Sequence, residues 1–297
     1  MQERVNQKHK AMSWIRRHPF LVVTAVFIVL NVLLFLAFLP RTQGVLTVAF
    51  LDVGQGDAVF VEAPNGNQLL YDAGPPSGAV LRGLAEVMPF WDRSIDVVVL
   101  SHPDMDHIGG FPEVFKRYRI DLVLEPGVTS DNGAYQAVEG AIKAEASAHF
   151  LARKGMSIDL GDGVFADVLY PDRDVSKMET NSASIVLRIR YGDTAFLLSG
   201  DLPKNIEEYE VAVYGEQLRA EVLKLGHHGS RTSSSEAWLR AVAPDIVVIS
   251  AGKENRYGHP HPDVLALLKR LHVPYVATFE QGTVRFESDG QTVGTDI

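Results

Sequence analysis

The sequence predicts an α/β fold in which β-sheet layers are covered by helices. Between residues 45 and 72, short runs of β-branched and apolar residues are separated by Gly, Asn and Pro turns, which is typical of strands. Residues 97–100 form a continuous apolar run, which indicates a strand buried on both faces. Segments with helical spacing follow these runs, and this order favours a sandwich of layers. One domain over residues 43–297 accommodates all of them.

The individual elements follow from local patterns along the chain. Residues 64–67 (Pro-Asn-Gly-Asn) predict one hairpin, and residues 191–193 (Tyr-Gly-Asp) mark the turn of another. The predicted strands are 45–51, 58–63, 68–72, 97–100, 120–124, two or three between 150 and 170, 184–190, 194–198, 221–225, 246–250 and a final strand at 283–287. The predicted helices are 78–88, 111–118, 134–147, 204–217, 235–242 and 262–271.

Composition and charge limit the sites that the chain can form. The hydrophobic fraction of 46% and the charged fraction of 22% are ordinary for a folded protein. The chain has no cysteine, so a metal must bind to His, Asp, Glu or Asn. Residues 1–40 carry a net charge of +4, and residues 41–297 carry −13. So acidic a domain is unusual for a protein that holds DNA by counterion release alone, although bound cations would supply local positive charge.

Residues 20–39 form an uncharged apolar segment that is long enough to cross a bilayer. About 20 residues with a rise of 1.5 Å each span the hydrocarbon core. Five cations precede the segment, which predicts a basic cytoplasmic tail over residues 1–19 and a single-pass anchor in the cytoplasmic membrane, with the remaining chain outside. The alternative is a cleaved signal peptide, but the apolar run is long for one, and residues 42–44 (Thr-Gln-Gly) match a cleavage site poorly.

Residues 101–107 (Ser-His-Pro-Asp-Met-Asp-His) carry the strongest signal for chemistry. They place His102, Asp104, Asp106 and His107 directly after the buried strand and before a helix. Loops at the carboxyl ends of strands present side chains from a rigid base. Imidazole together with carboxylate suits zinc, manganese or iron. The alternative is a polar loop in which one of the two aspartates caps the next helix.

Further acidic residues lie at other predicted strand ends. Residues 52–57 (Asp-Val-Gly-Gln-Gly-Asp) join two strands, and their glycines permit unusual backbone conformations, which favours a structural role. Asp72 ends a strand, where we expect it to satisfy backbone donors. Asp201 follows an apolar strand, and its carboxylate could bridge two cations or cap the following helix.

Histidines and hydroxyls follow two later strands. His227 and His228 end one strand, and because adjacent side chains point in different directions, both need not bind one ion; a core or hydrogen-bonded pair is the alternative. His259 and His261 lie in a polar loop, where we expect His259 to lie near the metal and His261 to be an exposed loop residue. Ser230 begins a run of hydroxyls that could bind phosphate, although a solvated loop is the simpler interpretation.

Together these segments resemble the extracellular metallo-β-lactamase-like domain of ComEC, the DNA-internalisation protein of natural competence. The motifs are residues 50–58 (Phe-Leu-Asp-Val-Gly-Gln-Gly-Asp-Ala), 101–110 (Ser-His-Pro-Asp-Met-Asp-His-Ile-Gly-Gly), 181–187 (Asn-Ser-Ala-Ser-Ile-Val-Leu), 197–201 (Leu-Leu-Ser-Gly-Asp), 226–230 (Gly-His-His-Gly-Ser) and 255–260 (Asn-Arg-Tyr-Gly-His-Pro). In combination and in this order they are highly specific. ComEC also has a multi-helix channel, whereas this chain shows one candidate span, so a role as the DNA channel does not follow.

The resemblance implies the four-layer αββα metallo-β-lactamase sandwich with two divalent metal ions, zinc or manganese, at one edge of its sheets. The implied metal ligands are His102, Asp104, Asp106, His107, Asp201 and His227. His102 and Asp104 are assigned to one ion and the others to the second, with Asp201 between the two.

Two departures from the wider family affect these ligands. The wider family has His at the position of Asp104 and often near the position of Asn181, and the change from nitrogen to oxygen favours manganese. Asn181 and His228 are further candidates for metal or substrate contact, and Ser230 is a candidate for substrate binding.

The implied chemistry is metal-dependent hydrolysis. Two ions activate water and hold phosphodiester oxygens. We therefore expect a membrane-anchored phosphodiesterase or nuclease that acts on nucleic acid outside the membrane. In this reaction Asp106 orients the water, and His259 stabilises charge or protonates the leaving oxygen. The alternatives are hydrolysis of another ester, amide or thioester, since a fold does not fix its substrate, and a non-catalytic, metal-stabilised surface binding module. Nothing in the sequence predicts an oligomeric state.

Overall fold

The computed structural model describes residues 17–37, 44–145 and 147–295. The chain divides into two compact units, Met1–Arg41 and Thr42–Ile297. The first unit contains helix α1 (Pro19–Ala37), whereas residues 1–16 of the predicted tail and residues 38 and 39 of the predicted span lie outside the described residues. Within the described ranges, no helix is both long enough and apolar enough to span a membrane.

The second unit is built on short strands that form two sheets. The strands are β1 Leu46–Phe50, β2 Val59–Glu62, β3 Gln68–Tyr71, β4 Ser94–Val99, β5 Arg119–Glu125, β6 Ala148–Leu151, β7 Ser157–Gly161, β8 Val164–Tyr170, β9 Val186–Tyr191, β10 Thr194–Leu198, β11 Val222–Lys224, β12 Ile246–Ile249, β13 Tyr275–Ala277, β14 Val284–Ser288 and β15 Val293–Thr295. One sheet has the order β15-β14-β1-β2-β3-β4-β5-β6, and the other has the order β13-β12-β11-β10-β9-β8-β7.

Helices cover the outer face of each sheet. They are α2 Ala79–Val87, α3 Met105–Ile108, α4 Phe111–Phe115, α5 Gly133–Glu145, α6 Lys204–Tyr214, α7 Glu236–Val242, α8 Pro262–Leu271 and α9 Thr278–Gln281. Apolar side chains of α2, α4 and α5 pack against the first sheet, and those of α7 and α8 pack against the second. The predicted α/β sandwich is therefore confirmed, with the layer order helices, sheet, sheet, helices.

The two sheets share an apolar core that lies between them. Phe50 and Phe286 meet edge to face in this core, with ring centroids 5.8 Å apart. Tyr71 also lies there, and its hydroxyl donates a hydrogen bond of 2.7 Å to the backbone carbonyl of Ile185 beside the opposite sheet. Each large apolar side chain buried in this way stabilises the fold by about 1.5–3 kcal/mol.

Two elements in the second half of the chain depart from the sequence prediction. The strand predicted at 283–287 is β14, but it is not the last, because β15 pairs with it antiparallel. Asp289 makes the tight turn between them by accepting hydrogen bonds from the backbone N–H groups of Gln291 and Thr292. The helix predicted at 204–217 ends at Tyr214, since Gly215 adopts a positive φ of 51°. Strand β15 has three residues and one large apolar side chain, that of Val293, so its sequence shows no periodic pattern.

Candidate metal centre

Six loops at one edge of the sandwich bring the predicted site residues together. They follow β1, β3, β4, β10, β11 and β12. Strands β3 and β4 run parallel in one sheet, and β10, β11 and β12 run parallel in the other. Because the carboxyl ends of parallel strands meet at one edge, their loops converge there, as at the ligand sites of other α/β folds.

The loop after β4 presents the carboxylates of Asp104 and Asp106. Asp104 occupies the N-cap position of α3, as the capping alternative required, but its side chain makes no capping hydrogen bond. Its Oδ2 atom lies 3.7 Å from Nε2 of His102. The Oδ2 atom of Asp106 lies 3.3 Å from Nε2 of His228. Both carboxylates therefore face imidazoles.

His102 and His107 are completely buried, and each is oriented by a partner at Nδ1. Nδ1 of His102 lies 2.9 Å from Oγ of Ser101, and Nδ1 of His107 lies 2.8 Å from Oδ2 of Asp72. Asp72 also accepts a hydrogen bond of 2.8 Å from the backbone N–H of Ser101, which confirms its predicted backbone role. Its carboxylate fixes an imidazole as well, as carboxylates do behind metal-binding histidines.

Asp201 lies between two groups of side chains, with one carboxylate oxygen towards each. Oδ1 lies 3.2 Å from Nε2 of His107 and 3.9 Å from Nε2 of His228. Oδ2 lies 3.4 Å from Nε2 of His227 and 3.8 Å from Nε2 of His102. Asp201 is not the N-cap of α6, so the capping alternative for it is wrong.

The turn Gly226–Gly229 after β11 holds His227 and His228 in a strained conformation. Their φ angles are 50° and 54°, values that residues other than glycine rarely adopt and that concentrate at functional sites. Nδ1 of His227 lies 3.1 Å from Oγ1 of Thr232, and Nδ1 of His228 lies 2.9 Å from the carbonyl oxygen of Ser250. The two neighbouring rings consequently reach different sides of Asp201.

This arrangement groups the histidines differently from the motif comparison. His227 lies on the same side of Asp201 as His102, whereas the motifs assigned it together with Asp106. His228 is the histidine beside Asp106. The order of two adjacent histidines in a motif does not reveal which side each will face, because the strained turn decides it.

Asp57 and Lys224 form an ion pair that the sequence did not predict as part of the site. Both side chains are completely buried, and Nζ of Lys224 contacts Oδ2 of Asp57. Asp57 also lies 3.2 Å from Nδ1 of His228 and 3.6 Å from Nδ1 of His107. Together with Asp201, these carboxylates and imidazoles form a cluster whose ligand atoms lie within 4.8 Å of one another.

Gly56 allows the loop after β1 to reach the site. Its φ angle is 137°, and a Cβ atom here would lie 2.1 Å from the carbonyl oxygen of Asp106. The next backbone N–H, that of Asp57, donates a hydrogen bond of 3.2 Å to the same oxygen. The predicted structural need for glycine in this loop is therefore confirmed, and it serves to position an acidic side chain.

The charges in the cluster shift one another's pKa values strongly. Burial raises the pKa of Asp201, but the imidazoles of His107 and His228 lower it further, to well below its ordinary value. Burial lowers the pKa of His228, but Asp201 and Asp57 raise it to about 9. Burial, together with the neighbouring His107, lowers the pKa of His102 to about 3. The surroundings thus favour the ionised form of Asp201, the protonated form of His228 and the neutral form of His102.

A cavity of about 130 Å³ opens onto these side chains. Its lining residues are Gln55, Asp104, Asp106, Asp201, His227, His228, Tyr257 and His259. The ring centroid of His259 lies 5.5 Å from that of His227, so the structure places His259 at the site as expected. His261 instead caps α8 by accepting a hydrogen bond of 3.2 Å from the backbone N–H of Asp263.

Ser230 and Asn181 lie beside the cluster. Ser230 is buried, and its hydroxyl lies 2.9 Å from that of Thr232, the partner of His227. Asn181 accepts a hydrogen bond of 3.5 Å from the hydroxyl of Thr180, and Thr180 offsets part of the rise that burial causes in the pKa of Asp104. Both predicted residues therefore reach the site through a hydroxyl neighbour.

Residues 51–253 match the family model of the metallo-beta-lactamase superfamily. The chain belongs to this superfamily. Solved structures agree with the fold: the metallo-beta-lactamase fold protein YhfI from Bacillus subtilis superimposes with a TM-score of 0.55 and 12% identity, covering 82% of this chain and 100% of that protein.

Curated relatives of this chain include a competence protein. ComE operon protein 3 of Bacillus subtilis (strain 168) is 32% identical over 265 residues, which cover 84% of this chain and 34% of the relative. Competence protein ComA of Neisseria gonorrhoeae is 34% identical over 247 residues, covering 83% of this chain and 33% of the relative. The chain therefore spans about a third of the length of the curated relatives it matches. The ComEC-like resemblance found in the motifs is confirmed.

The superfamily fold implies divalent metal ions, and the donors of this chain fit them. Nε2 of His102, His107 and His228 and Oδ1 of Asp201 are buried without a hydrogen-bond partner among the described residues. Such unpaired atoms cost about 1–3 kcal/mol each, and a cation between them removes this cost. Imidazole nitrogen and carboxylate oxygen suit zinc, manganese and iron.

The sequence predicted most side chains of this cluster and missed Lys224. The Gly-x-Gly-Asp loop pointed to Asp57 but was interpreted as a turn. No sequence pattern indicated that Lys224 belongs to the site, because a single lysine in a short apolar strand such as β11 is expected to face solvent. Only the meeting of this strand with the loop after β1 reveals the pair.

Proposed function

We propose that this chain is a metal-dependent phosphodiesterase, specifically a nuclease, that is anchored in the cytoplasmic membrane with its hydrolase domain outside. The observation that carries the proposal is the convergence of buried, unpartnered imidazole nitrogens on the two oxygens of Asp201. Similarity to proteins named for competence supports nucleic acid as the substrate.

Two groups of side chains on either side of Asp201 would hold two divalent ions. One group is His102, Asp104 and His227, the other is Asp106, His107 and His228, and Asp201 is shared. When bound, the ions would lower the pKa of a coordinated water towards neutrality, and they would offset negative charge on the phosphodiester. Zinc or manganese suits this mixture of nitrogen and oxygen donors.

Asp106 is the carboxylate best placed to orient the attacking water. Its side chain is 33% exposed and lines the cavity, whereas Asp201 and Asp57 are buried. Its Oδ2 atom lies 3.3 Å from Nε2 of His228, in the group of side chains that also contains His107. A hydrogen bond to the water from this position directs a lone pair towards phosphorus.

His259 is the candidate to assist departure of the leaving oxygen. Burial, together with the neighbouring His227 and His228, lowers the pKa of His259 to about 4. The ring is therefore neutral near pH 7 and assists by donating a hydrogen bond to the developing negative charge. Its backbone N–H donates to Oδ1 of Asn255 at 2.9 Å, which holds the backbone of this residue at the cavity wall.

The proposed membrane anchor rests on the amino-terminal sequence. Residues 20–39 carry no charge and follow five cations. The excess of positive charge before the segment favours a cytoplasmic amino terminus, which places the hydrolase domain outside.

The experiment that tests the proposed activity is a substrate panel with the full chain in detergent, loaded with Mn²⁺ or Zn²⁺. We expect cleavage of a single-stranded oligodeoxynucleotide and no turnover of carboxylic ester, amide or thioester substrates. Asp106→Ala should abolish the cleavage, whereas Asp245→Ala, which changes an exposed aspartate on the domain surface, should retain it.

The net charge of −13 over residues 41–297 favours the second candidate, hydrolysis of another ester, amide or thioester, over tight binding of DNA. Turnover of one of these substrates with no cleavage of the oligonucleotide would establish it. Binding of an oligonucleotide without turnover of any substrate would instead indicate a non-catalytic binding module.

A further inference from the structure

An exposed aromatic residue stands at the mouth of the metal-site cavity. Tyr257 lines this cavity together with Asp106 and Asp201, yet its side chain is 52% exposed. A tyrosine this exposed contributes little to the core, and its flat ring at the rim of a polar cavity offers a surface on which a ligand can stack.

The loop that carries Tyr257 is held by its own polar contacts. Oδ1 of Asn255 accepts hydrogen bonds from the backbone N–H groups of Tyr257 and His259, at 3.2 and 2.9 Å. Nδ2 of Asn255 donates to the carbonyl oxygen of Gly252 at 2.8 Å. The backbone N–H of His261 donates to the carbonyl oxygen of Gly229, at 2.9 Å, which ties this loop to the turn that carries the site histidines. The backbone that carries the tyrosine is thus anchored next to the site.

The ring of Tyr257 is part of a stack that runs outwards from the site. It lies almost parallel to the ring of His259, with an interplanar angle of 21° and centroids 5.8 Å apart. The guanidinium of Arg256 lies 5.0 Å from the Tyr257 centroid, and its Nη2 atom donates a hydrogen bond of 2.9 Å to the tyrosine hydroxyl. Aromatic rings and guanidinium planes are the two surfaces on which proteins stack unpaired bases.

The charges around the cavity make such a surface useful. Asp104, Asp106 and Asp201 line the cavity and repel a phosphate chain wherever cations do not offset them. Stacking depends little on this repulsion because a base is uncharged. Arg256 adds an exposed positive charge at the outer edge, where the next phosphate of a strand would pass.

We propose that Arg256 and Tyr257 form a platform that stacks a nucleobase of single-stranded nucleic acid beside the phosphate at the metal centre. The proposal rests on the proposed phosphodiesterase function, since it places the scissile phosphate at Asp201. Bases inside a duplex are already stacked and paired, so the platform selects single strands. It reads no sequence, because every base offers a flat face.

The test compares oligo(dT) with an abasic oligomer of the same length and backbone. Binding of fluorescently labelled, phosphorothioate-linked forms, which resist hydrolysis, is measured by anisotropy with the full chain in Mn²⁺. We expect the wild type to prefer oligo(dT). Tyr257→Ala should weaken binding of oligo(dT) by about 5- to 150-fold, the loss that corresponds to stacking of one base, and leave the abasic oligomer unaffected. Tyr257→Phe keeps the ring and should keep the preference, and Tyr275→Ala removes an exposed tyrosine from β13 as a matched control.

The outcomes separate the platform from the activity. Equal weakening of both oligomers by Tyr257→Ala, or no weakening, overturns the platform even if the wild type cleaves both normally linked oligomers. If the wild type cleaves neither but binds oligo(dT) through Tyr257, the nuclease proposal fails and the platform stands.

Discussion

Lys224 and Asp57 form a completely buried ion pair behind the candidate metal centre, where the loop after β1 meets the end of β11. Nζ of Lys224 also lies 3.3 Å from the carbonyl oxygen of Gly200. Gly200 directly precedes Asp201, whose carboxylate separates the two groups of histidines. Asp57 faces Nδ1 of His228 at 3.2 Å, on the side of the ring opposite to Nε2. Burial raises the pKa of Asp57, but Lys224 and the imidazoles lower it to about 2, so the carboxylate is ionised and orients that ring.

Removing one member of this pair should destabilise the protein more than removing both. Lys224→Met leaves the Asp57 carboxylate buried without its cation, and we expect it to lower the free energy of unfolding by about 3–5 kcal/mol. The double variant Lys224→Met with Asp57→Leu removes both charges and should recover much of this loss. Urea denaturation of the single and double variants measures the coupling.

Lys253→Met, which changes an exposed lysine, is the control for loss of a positive charge and should stay within about 0.5 kcal/mol of the wild type. If the losses in the free energy of unfolding for Lys224→Met and for Asp57→Leu alone sum to the loss for the double variant, the pairing is contradicted.

The fold was predictable because most strands are apolar runs bounded by Gly, Asn and Pro turns. The site was predictable only in part. The loop containing His102 and His107 follows a buried strand and is local in sequence, so its role could be inferred. Which side of Asp201 each of His227 and His228 faces depends on the positive φ angles of their turn. The residue types alone do not specify these angles. The partner of Lys224 is distant in sequence, and no local rule connects them.

Metal binding should stabilise the folded chain through Asp201. Mn²⁺ or Zn²⁺ that binds the native state at 100 times its Kd adds about 2.7 kcal/mol to the free energy of unfolding, and EDTA should remove this gain. Asp201→Asn replaces an acceptor oxygen facing the buried imidazoles by an amide, so we expect it to lose the metal-dependent rise in melting temperature. Calorimetry with elemental analysis of bound metal measures both effects. Asp245→Asn is the surface control, and retention of wild-type metal content by Asp201→Asn would contradict the role of Asp201.

Stability should fall with rising pH because of Glu210 on α6. Both of its carboxylate oxygens are buried and have no hydrogen-bond partner in the part of the chain that the structure describes. Burial, which outweighs Lys154, raises its pKa from 4.5 to about 8. The folded state therefore binds this proton more tightly than the unfolded state. The stabilisation is fully present below pH 4.5 and is lost as the pH rises towards 8.

Glu210→Gln should flatten this dependence. A shift of one pKa unit corresponds to about 1.4 kcal/mol, and residual solvation reduces the full effect, so we expect a difference of about 1–3 kcal/mol between wild type and variant across the window. Urea unfolding at intervals from pH 5 to pH 9 gives the two curves, and their difference isolates Glu210 from the titration of the metal site. Glu208→Gln, a change at an exposed position on the same helix, should follow the wild type. Parallel curves for Glu210→Gln and wild type would show that Glu210 does not titrate in this range.

The hydrogen bond between Tyr71 and Ile185 should hold the two sheets together beneath the site. The hydroxyl donates at 2.7 Å to a backbone carbonyl in a region with no access to water, and the next residue along the chain from the tyrosine is Asp72, which orients His107. Tyr71→Phe keeps the packing and leaves the carbonyl of Ile185 unsatisfied, so we expect a loss of about 1–3 kcal/mol in the free energy of unfolding without a change in the urea m-value. Tyr275→Phe removes a hydroxyl from a tyrosine that is 43% exposed and should have little effect. Equal stability of Tyr71→Phe and wild type would mean that the interface between the sheets depends on apolar packing alone.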